Sequence, residues 1–200
     1  MRDSEVICGP IAESLRAQMA AVIDSAFARS LQPFLPDRDL RLRVVTAGSD
    51  LQAAIGAWLR DELVGVIGLK TASAWVFDGM RLGMLHKELG AGALKARLAL
   101  KVLDRPIEPD TIRIEFLAVE ESARGNGVGR ALLRAAEQRA CVERARLLEL
   151  HVESENRDAR RLYEREGFRD NPARRDPAPR RWLQRQSDIR MTREPQCTTC

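Results

Sequence analysis

Between Arg124 and Arg130 the chain reads Arg-Gly-Asn-Gly-Val-Gly-Arg, where a strand pattern gives way to a helix pattern. Glycines let successive backbone N–H groups face one point. The first turn of a helix leaves its N–H groups without intrahelical acceptors and turns the positive end of its dipole outward. Together these make an anion cradle whose expected guest is a pyrophosphate, with Arg124 and Arg130 adding charge. The dinucleotide fingerprint needs glycine at 130, where arginine stands, and the Walker A pattern needs a Gly-Lys-Ser/Thr ending, which is absent. On its glycines alone the loop is equally a flexible turn before a helix.

Two other groups interrupt apolar strands. Glu115 sits inside TIRIEFLAV, residues 111–119, and strand alternation expects it on one face with Leu117 and Val119, opposite Ile114, Phe116 and Ala118. A carboxylate inside a central strand needs a partner or a function. His151, in LLELHV, shares a face with Glu149 and Glu153, away from Leu148, Leu150 and Val152. Each is a candidate proton acceptor. The bland alternatives are an ion pair of Glu115 with Arg113 or Arg41, and a His151 that merely lies on a polar face.

The elements that position these residues follow from periodicity. Residues 6–11 read as a first strand and 11–30 as an amphipathic helix through Leu15, Met19, Val22, Ile23 and Phe27. Residues 32–49, with two prolines, a glycine and mixed charges, read as a loop with a short helix in it. Residues 53–59 and 63–69 are apolar runs joined by Arg60-Asp61-Glu62, a hairpin signature. Residues 80–103 carry helical spacing broken at Gly90 and Gly92. Residues 111–119 and 147–152 are the two best strands, and 128–143 form a helix with Leu132, Leu133, Ala136 and Ala140 on one face. Residues 156–166 form a helix with Asn156 as N-cap and Gly167 after its end. Residues 181–184 and 189–192 are weak last strands beyond a Pro/Arg-rich loop. The order is α/β with a mixed sheet.

The run IEFLAVEESARGNGVGRALL, a further strand, and then Asn156-x-x-Ala159-x-x-x-Tyr163-x-x-x-Gly167-Phe168 together resemble the GNAT superfamily of N-acetyltransferases, over about residues 112–168. The resemblance implies a strongly twisted sheet with helices on both faces and a splay between its two central strands. It implies acetyl-CoA as cosubstrate, with Leu117, Ala118 and Val119 offering backbone groups to the pantetheine arm and thioester. Arg124, Gly125, Asn126, Gly127, Val128, Gly129 and Arg130 would hold the pyrophosphate. Asn156 would contact the cofactor near its thiol end, and Tyr163 would protonate the departing thiolate. Arg157, Arg160 and Arg161 start the helix beside this site and face the remaining phosphate. The reaction implied is direct acetyl transfer to an amine of a small molecule or a protein; the family has no single fixed base position, and Glu115 is taken as the catalytic base from its place in the strand. A non-catalytic acyl-CoA-binding or sensor domain is the alternative. Trp58, Trp75 and Trp182 are candidate linings of an acceptor pocket or ordinary core residues. The segment at about 75–105 is longer than the family usually carries and is a candidate lid, dimer face or plain packed helix.

Composition sets the outer limits. The 200 residues suit one domain over 1–200, of which 111–168 is the cofactor half. The formal charge is +4, but residues 160–200 hold 11 Arg against 6 acids, so the rest of the chain is near neutral. That argues against a nucleic-acid partner. No apolar run approaches the ~20 residues that span a bilayer, and MRDSEVICGP is not a signal peptide, so the expectation is a cytoplasmic protein without stable membrane insertion. The heavy Arg and Ala usage suggests a bacterial source. Cys197 and Cys200 form a CxxC that cannot close a zinc site alone, so no metal is expected. The segment 194–200 is expected to be a poorly ordered, reduced tail.

Overall fold

The computed structural model describes residues 5–32, 35–80, 82–90, 107–171 and 188–197. Its frame is a seven-stranded sheet, β1 (Ile7–Pro10), β2 (Ala54–Leu59), β3 (Glu62–Lys70), β4 (Thr111–Val119), β5 (Leu147–Glu153), β6 (Arg169–Asp170) and β7 (Asp188–Arg193). The order is β1-β2-β3-β4-β5-β7-β6, antiparallel except between β4 and β5, which run parallel. The expected hairpin is β2–β3. Arg60 and Asp61 both take positive φ, 52° and 67°, the twist that a two-residue hairpin turn requires.

Helices cover both faces. On one face lie α4 (Val128–Val142) and α5 (Arg157–Arg165). Leu132, Leu133, Ala136 and Ala140 bury one side of α4 against Ile112, Ile114, Leu148 and Leu150, as the helical spacing expects. Each fully buried leucine contributes about 1.5–3 kcal/mol. On the other face α1 (Arg16–Leu31) packs Met19, Val22 and Ile23 against Val66 and Ala118.

Two expectations need correction. The segment read as a loop with a short helix is mostly helix, α2, Arg38–Gly48, capped by Asp37, whose carboxylate accepts from Leu40 N–H at 2.7 Å. Arg41 disguised it, because a buried arginine interrupts the apolar stripe. It donates to Asp24 of α1 at 2.5 Å and to the carbonyls of Leu35 and Pro36 at 3.0 Å each. The C-terminal segment is also held in place: Cys197 is joined by a disulfide to Cys141 in the last turn of α4, so it is not a reduced tail. The weak last strand expected at 189–192 is β7, which pairs directly with β5. The strand expected at 181–184, and Trp182 with it, lies outside the described residues.

The long expected helix at 80–103 is described only through α3, Leu82–Leu89. Leu85 packs on Val44 of α2, and Arg43 Nε lies 3.1 Å from Glu88. Among the described residues no helix is long and apolar enough to cross a membrane, and no group of three metal-ligating side chains gathers.

Candidate active site

The site begins where two strands part. β4 and β5 pair in register from Thr111↔Leu147 to Ile114↔Leu150 and no further, although β4 continues to Val119 and β5 to Glu153. On its other side β4 stays paired, with Leu117, Ala118 and Val119 opposite Ile67, Val66 and Gly65. The β5-facing backbone of residues 116–119 therefore has no strand partner among the described residues. Unpaired backbone groups there can accept an extended ligand.

Glu115 stands at the mouth of this opening, for a reason the alternation rule missed. Across β3, Gly68 pairs with Phe116 and Leu69 with Ile114, so Glu115 is the extra residue of a bulge. The bulge resets the faces. Ile114, Leu117 and Val119 pack in the α4/α5 core, whereas Phe116 and Ala118 pack in the α1 core. Glu115 therefore does not share a face with Leu117 and Val119; it lies with Arg113. Gly68 fits this arrangement because a Cβ there would meet the Phe116 ring at 2.3 Å.

Beneath Glu115 lies a buried charge network that the sequence did not reveal. Glu149 accepts from Arg113 Nε at 2.6 Å and from Arg190 Nε at 2.7 Å, tying β4, β5 and β7 together. Arg113 Nη1 stands 4.0 Å from Glu115, and His151 Nε2 stands 3.6 Å from Glu149. Burial alone would raise the Glu149 carboxyl. His151, Arg113 and Arg190 outweigh it and lower it from 4.5 to about 2. Its folded value is depressed, so its stabilising effect is present above pH 4.5 and is lost as pH falls toward 2. Glu149→Gln removes the carboxylate that Arg113 and Arg190 share and is expected to cost about 3–5 kcal/mol. Thermal melts are expected to show a midpoint about 10 °C lower and a flatter loss of stability between pH 4.5 and 2. An unchanged midpoint would remove the network's structural role. The visible signal was Arg113, Glu149 and Arg190 interrupting strands, but nothing in the chain says which strands become neighbours.

The glycine loop opens α4 as the sequence expects. Gly125 and Gly127 have φ of 81° and 79°, and a Cβ at either would meet nothing within 4 Å. The loop is open to solvent and its conformation, not crowding, requires glycine. Gly127 is the N-cap, so the N–H groups of Val128, Gly129 and Arg130 start the helix. Gly129 serves packing: a Cβ would lie 3.0 Å from Leu162 and 3.7 Å from Leu117, so its bareness lets α4 approach both α5 and β4. Asn126 turns its side chain inward, donating to the carbonyls of Ala123 and Arg124 at 3.2 and 3.3 Å. Arg124 is exposed, and Arg130 is ion-paired with Glu166 at 3.0 Å.

On α5, Asn156 caps the helix by accepting from Ala159 N–H at 3.1 Å and remains exposed. Tyr163 is 9% exposed and packs edge-on against Phe168 with ring centres 6.0 Å apart. Burial pushes its phenol up to about 12, so it keeps its proton at neutral pH. Of the three arginines that open α5, Arg160 lies 3.6 Å from Glu164 and 3.7 Å from Asp170, and Arg161 lies 3.9 Å from Asp158. Trp75 belongs to a stack with Phe77 and Phe116, and Lys70 Nζ lies 4.9 Å from the centre of its ring. Trp58 packs against the α1 core.

Comparison with known proteins agrees with this geometry. Residues 21–168 match the acetyltransferase (GNAT) family. A mycothiol acetyltransferase of Beutenbergia cavernae is 41% identical over 103 residues, which are 50% of this chain and 32% of that protein, so the chain spans about a third of that relative's length. Among solved structures, an N-acetyltransferase from Staphylococcus aureus Mu50 superposes with a TM-score of 0.63 at 15% identity, covering 93% of this chain and 99% of its own. The PaiA N-acetyltransferase from Thermoplasma acidophilum, solved in complex with coenzyme A, superposes with a TM-score of 0.55 at 14% identity, covering 95% and 99%. The parted central strands, the glycine loop opening α4 and the sequence match over residues 21–168 meet in one conclusion: the chain belongs to the acetyltransferase (GNAT) family.

Proposed function

We propose that this chain moves an acetyl group from acetyl-CoA directly to an amine of a small molecule or a protein. The observation that carries the reading is the meeting of two features at one end of β4. The pairing with β5 stops at Ile114↔Leu150, and the Gly125–Gly127 loop opens a helix immediately beyond the strand. Acetyl-CoA is a long pantetheine arm joined through a pyrophosphate to a phosphorylated adenosine, and its arm and pyrophosphate need both. The fit is chemical: a dianion suits the first-turn N–H groups of α4 with Arg124 and Arg130 beside them, and the pantetheine amides suit the β5-facing backbone groups of Leu117 and Val119, whereas Ala118 turns its own toward Val66 of β3. When bound, the cosubstrate supplies an activated thioester.

An ammonium is not a nucleophile at neutral pH, so a base must take its proton. Glu115, at the mouth of the opening, is placed for that, directly or through water. The backbone N–H of Val119 is the candidate donor to the developing oxyanion. Tyr163 retains its proton and can give it to the leaving thiolate. Tyr163→Phe is expected to lower kcat about 10- to 100-fold with little change in the KM for acetyl-CoA; unchanged turnover removes the acid role.

The names of the relatives support acetyl transfer, and the mycothiol acetyltransferase puts acceptors of that chemistry on the panel to be tested. We take residues 1–200 as one domain acting in a bacterial cytoplasm. The test is release of free thiol from acetyl-CoA in the presence of an amine panel. Acceptor-dependent release is the expected result. CoA binding with no release for any amine supports the sensor reading instead.

A further inference from the structure

The disulfide between Cys141 and Cys197 plays no part in the proposed transfer chemistry. Cys141 is half-buried at the end of α4, whereas Cys197 is exposed and within reach of a thiol in solution. A polar path leads from it to the glycine loop. Gln196 N–H donates to Glu137 Oε1 on α4 at 2.8 Å. Arg193 meets the same oxygen through Nη2 and donates through Nη1 to the backbone carbonyl of Glu166 at 2.5 Å. Glu166 is the C-cap of α5, and its carboxylate, on a side chain 9% exposed, holds Arg130 Nε at 3.0 Å. Arg130 belongs to the first turn of α4, at the candidate phosphate site. Glu137, Glu166, Arg193 and Gln196 line a single polar cleft between α4, α5 and the C-terminal segment.

We propose that Cys141 and Cys197 form a thiol–disulfide exchange site whose state sets how firmly Arg130 is held at the acyl-CoA cradle. The proposal rests on the acyl-CoA reading above. Its reductant is a dithiol. One thiolate of the dithiol attacks Cys197 Sγ, the Cys141–Cys197 bond breaks, and Cys141 leaves as a thiolate and takes a proton. The second thiol then attacks the mixed disulfide, releasing Cys197. The dithiol supplies both electrons and ends as a disulfide. Cys197 is the sulfur attacked because it is the exposed one.

The sign of the effect follows from the path. With the bond intact, the C-terminal segment is pinned to α4 and Arg193 lies over the carboxyl end of α5, where a cation opposes the helix dipole. That contact fixes Glu166, and Glu166 fixes Arg130, on a side chain that stays 59% exposed. A guanidinium already held loses less freedom when a phosphate arrives. Reduction unpins the segment, loosens Arg193 from the Glu166 carbonyl and returns that freedom to Arg130. The oxidised form therefore binds acyl-CoA more tightly.

The test uses the full chain purified without reductant. Peptide mapping after alkylation is expected to recover a Cys141–Cys197 linked pair. Calorimetry with CoA is expected to give affinity about 3- to 10-fold weaker after dithiothreitol, restored on reoxidation, with Cys141→Ser behaving as the reduced form under both conditions. If that variant does not fold, wild type titrated with dithiothreitol and followed by circular dichroism carries the same comparison. Equal CoA affinity in both states overturns the coupling while the acyl-CoA reading stands. A linked pair of Cys197 with Cys200, or both thiols alkylated, overturns the exchange site. Absence of CoA binding in either state overturns the acyl-CoA reading, and the coupling with it, while the mapping still decides the linkage.

Discussion

Gly127→Glu is expected to weaken acetyl-CoA binding by more than about 1,000-fold while the protein still folds. Gly127 has φ of +79° and nothing within 4 Å of where a Cβ would stand. The new side chain meets no clash, and its left-handed backbone costs about 1–2 kcal/mol. That is a modest fraction of the stability of a typical domain. The effect on the ligand is of another order. The glutamate puts a negative charge beside first-turn N–H groups that would otherwise face the pyrophosphate. It competes for those donors and repels the dianion. Gly127→Ala is the control, since it carries the backbone strain without the charge and is expected to lose far less affinity. Calorimetry with CoA reads the first effect and thermal melts the second. Unchanged affinity in the glutamate variant would move the phosphate site elsewhere. Gly129→Glu is less clean as a test, because a Cβ there already lies 3.0 Å from Leu162.

Glu115→Gln is expected to lower kcat on the order of 100- to 10,000-fold, with the KM for acetyl-CoA within about twofold of wild type. Glutamine keeps the size of the side chain and removes its capacity to take a proton. The Arg113 guanidinium stands 4.0 Å from the Glu115 carboxylate. Arg113 is itself held by Glu149 at 2.6 Å. A purely structural Glu115 predicts a different outcome: lower thermal stability with turnover per folded molecule unchanged. Comparing kcat with melting midpoint in the same preparations separates the two. Full activity in a stable Glu115→Gln variant would pass the base role to another group, with His151 across the opening as the first to examine.

Much of the fold was legible in the chain because its signals are local. The glycine loop, the Asn156 cap, the 15-residue face of α4 and the hairpin between β2 and β3 depend on residues a few positions apart. Backbone preferences and periodicity act over that range. The extent of α2 was understated by a local failure of the same rule: its stripe runs through Arg41, whose burial depends on Asp24 in another helix. The alternation around Glu115 failed for a related reason. A bulge is a property of two strands, and the partner residues Gly68 and Leu69 lie more than forty positions away.

By itself the sequence determined the helix and strand inventory of residues 111–168, the glycine loop that opens α4 and the family resemblance. All of these follow from residue type and short spacing. The tertiary structure alone decided which charged strand residues meet. Arg113 and Glu149 are 36 positions apart, Glu149 and Arg190 are 41, and Cys141 and Cys197 are 56. These pairings follow from the strand order, which brings β7 between β5 and β6 and so sets Arg190 against Glu149 and carries Cys197 to α4. Strand order is settled by burying two apolar faces of one sheet at once, and no local pattern encodes that competition.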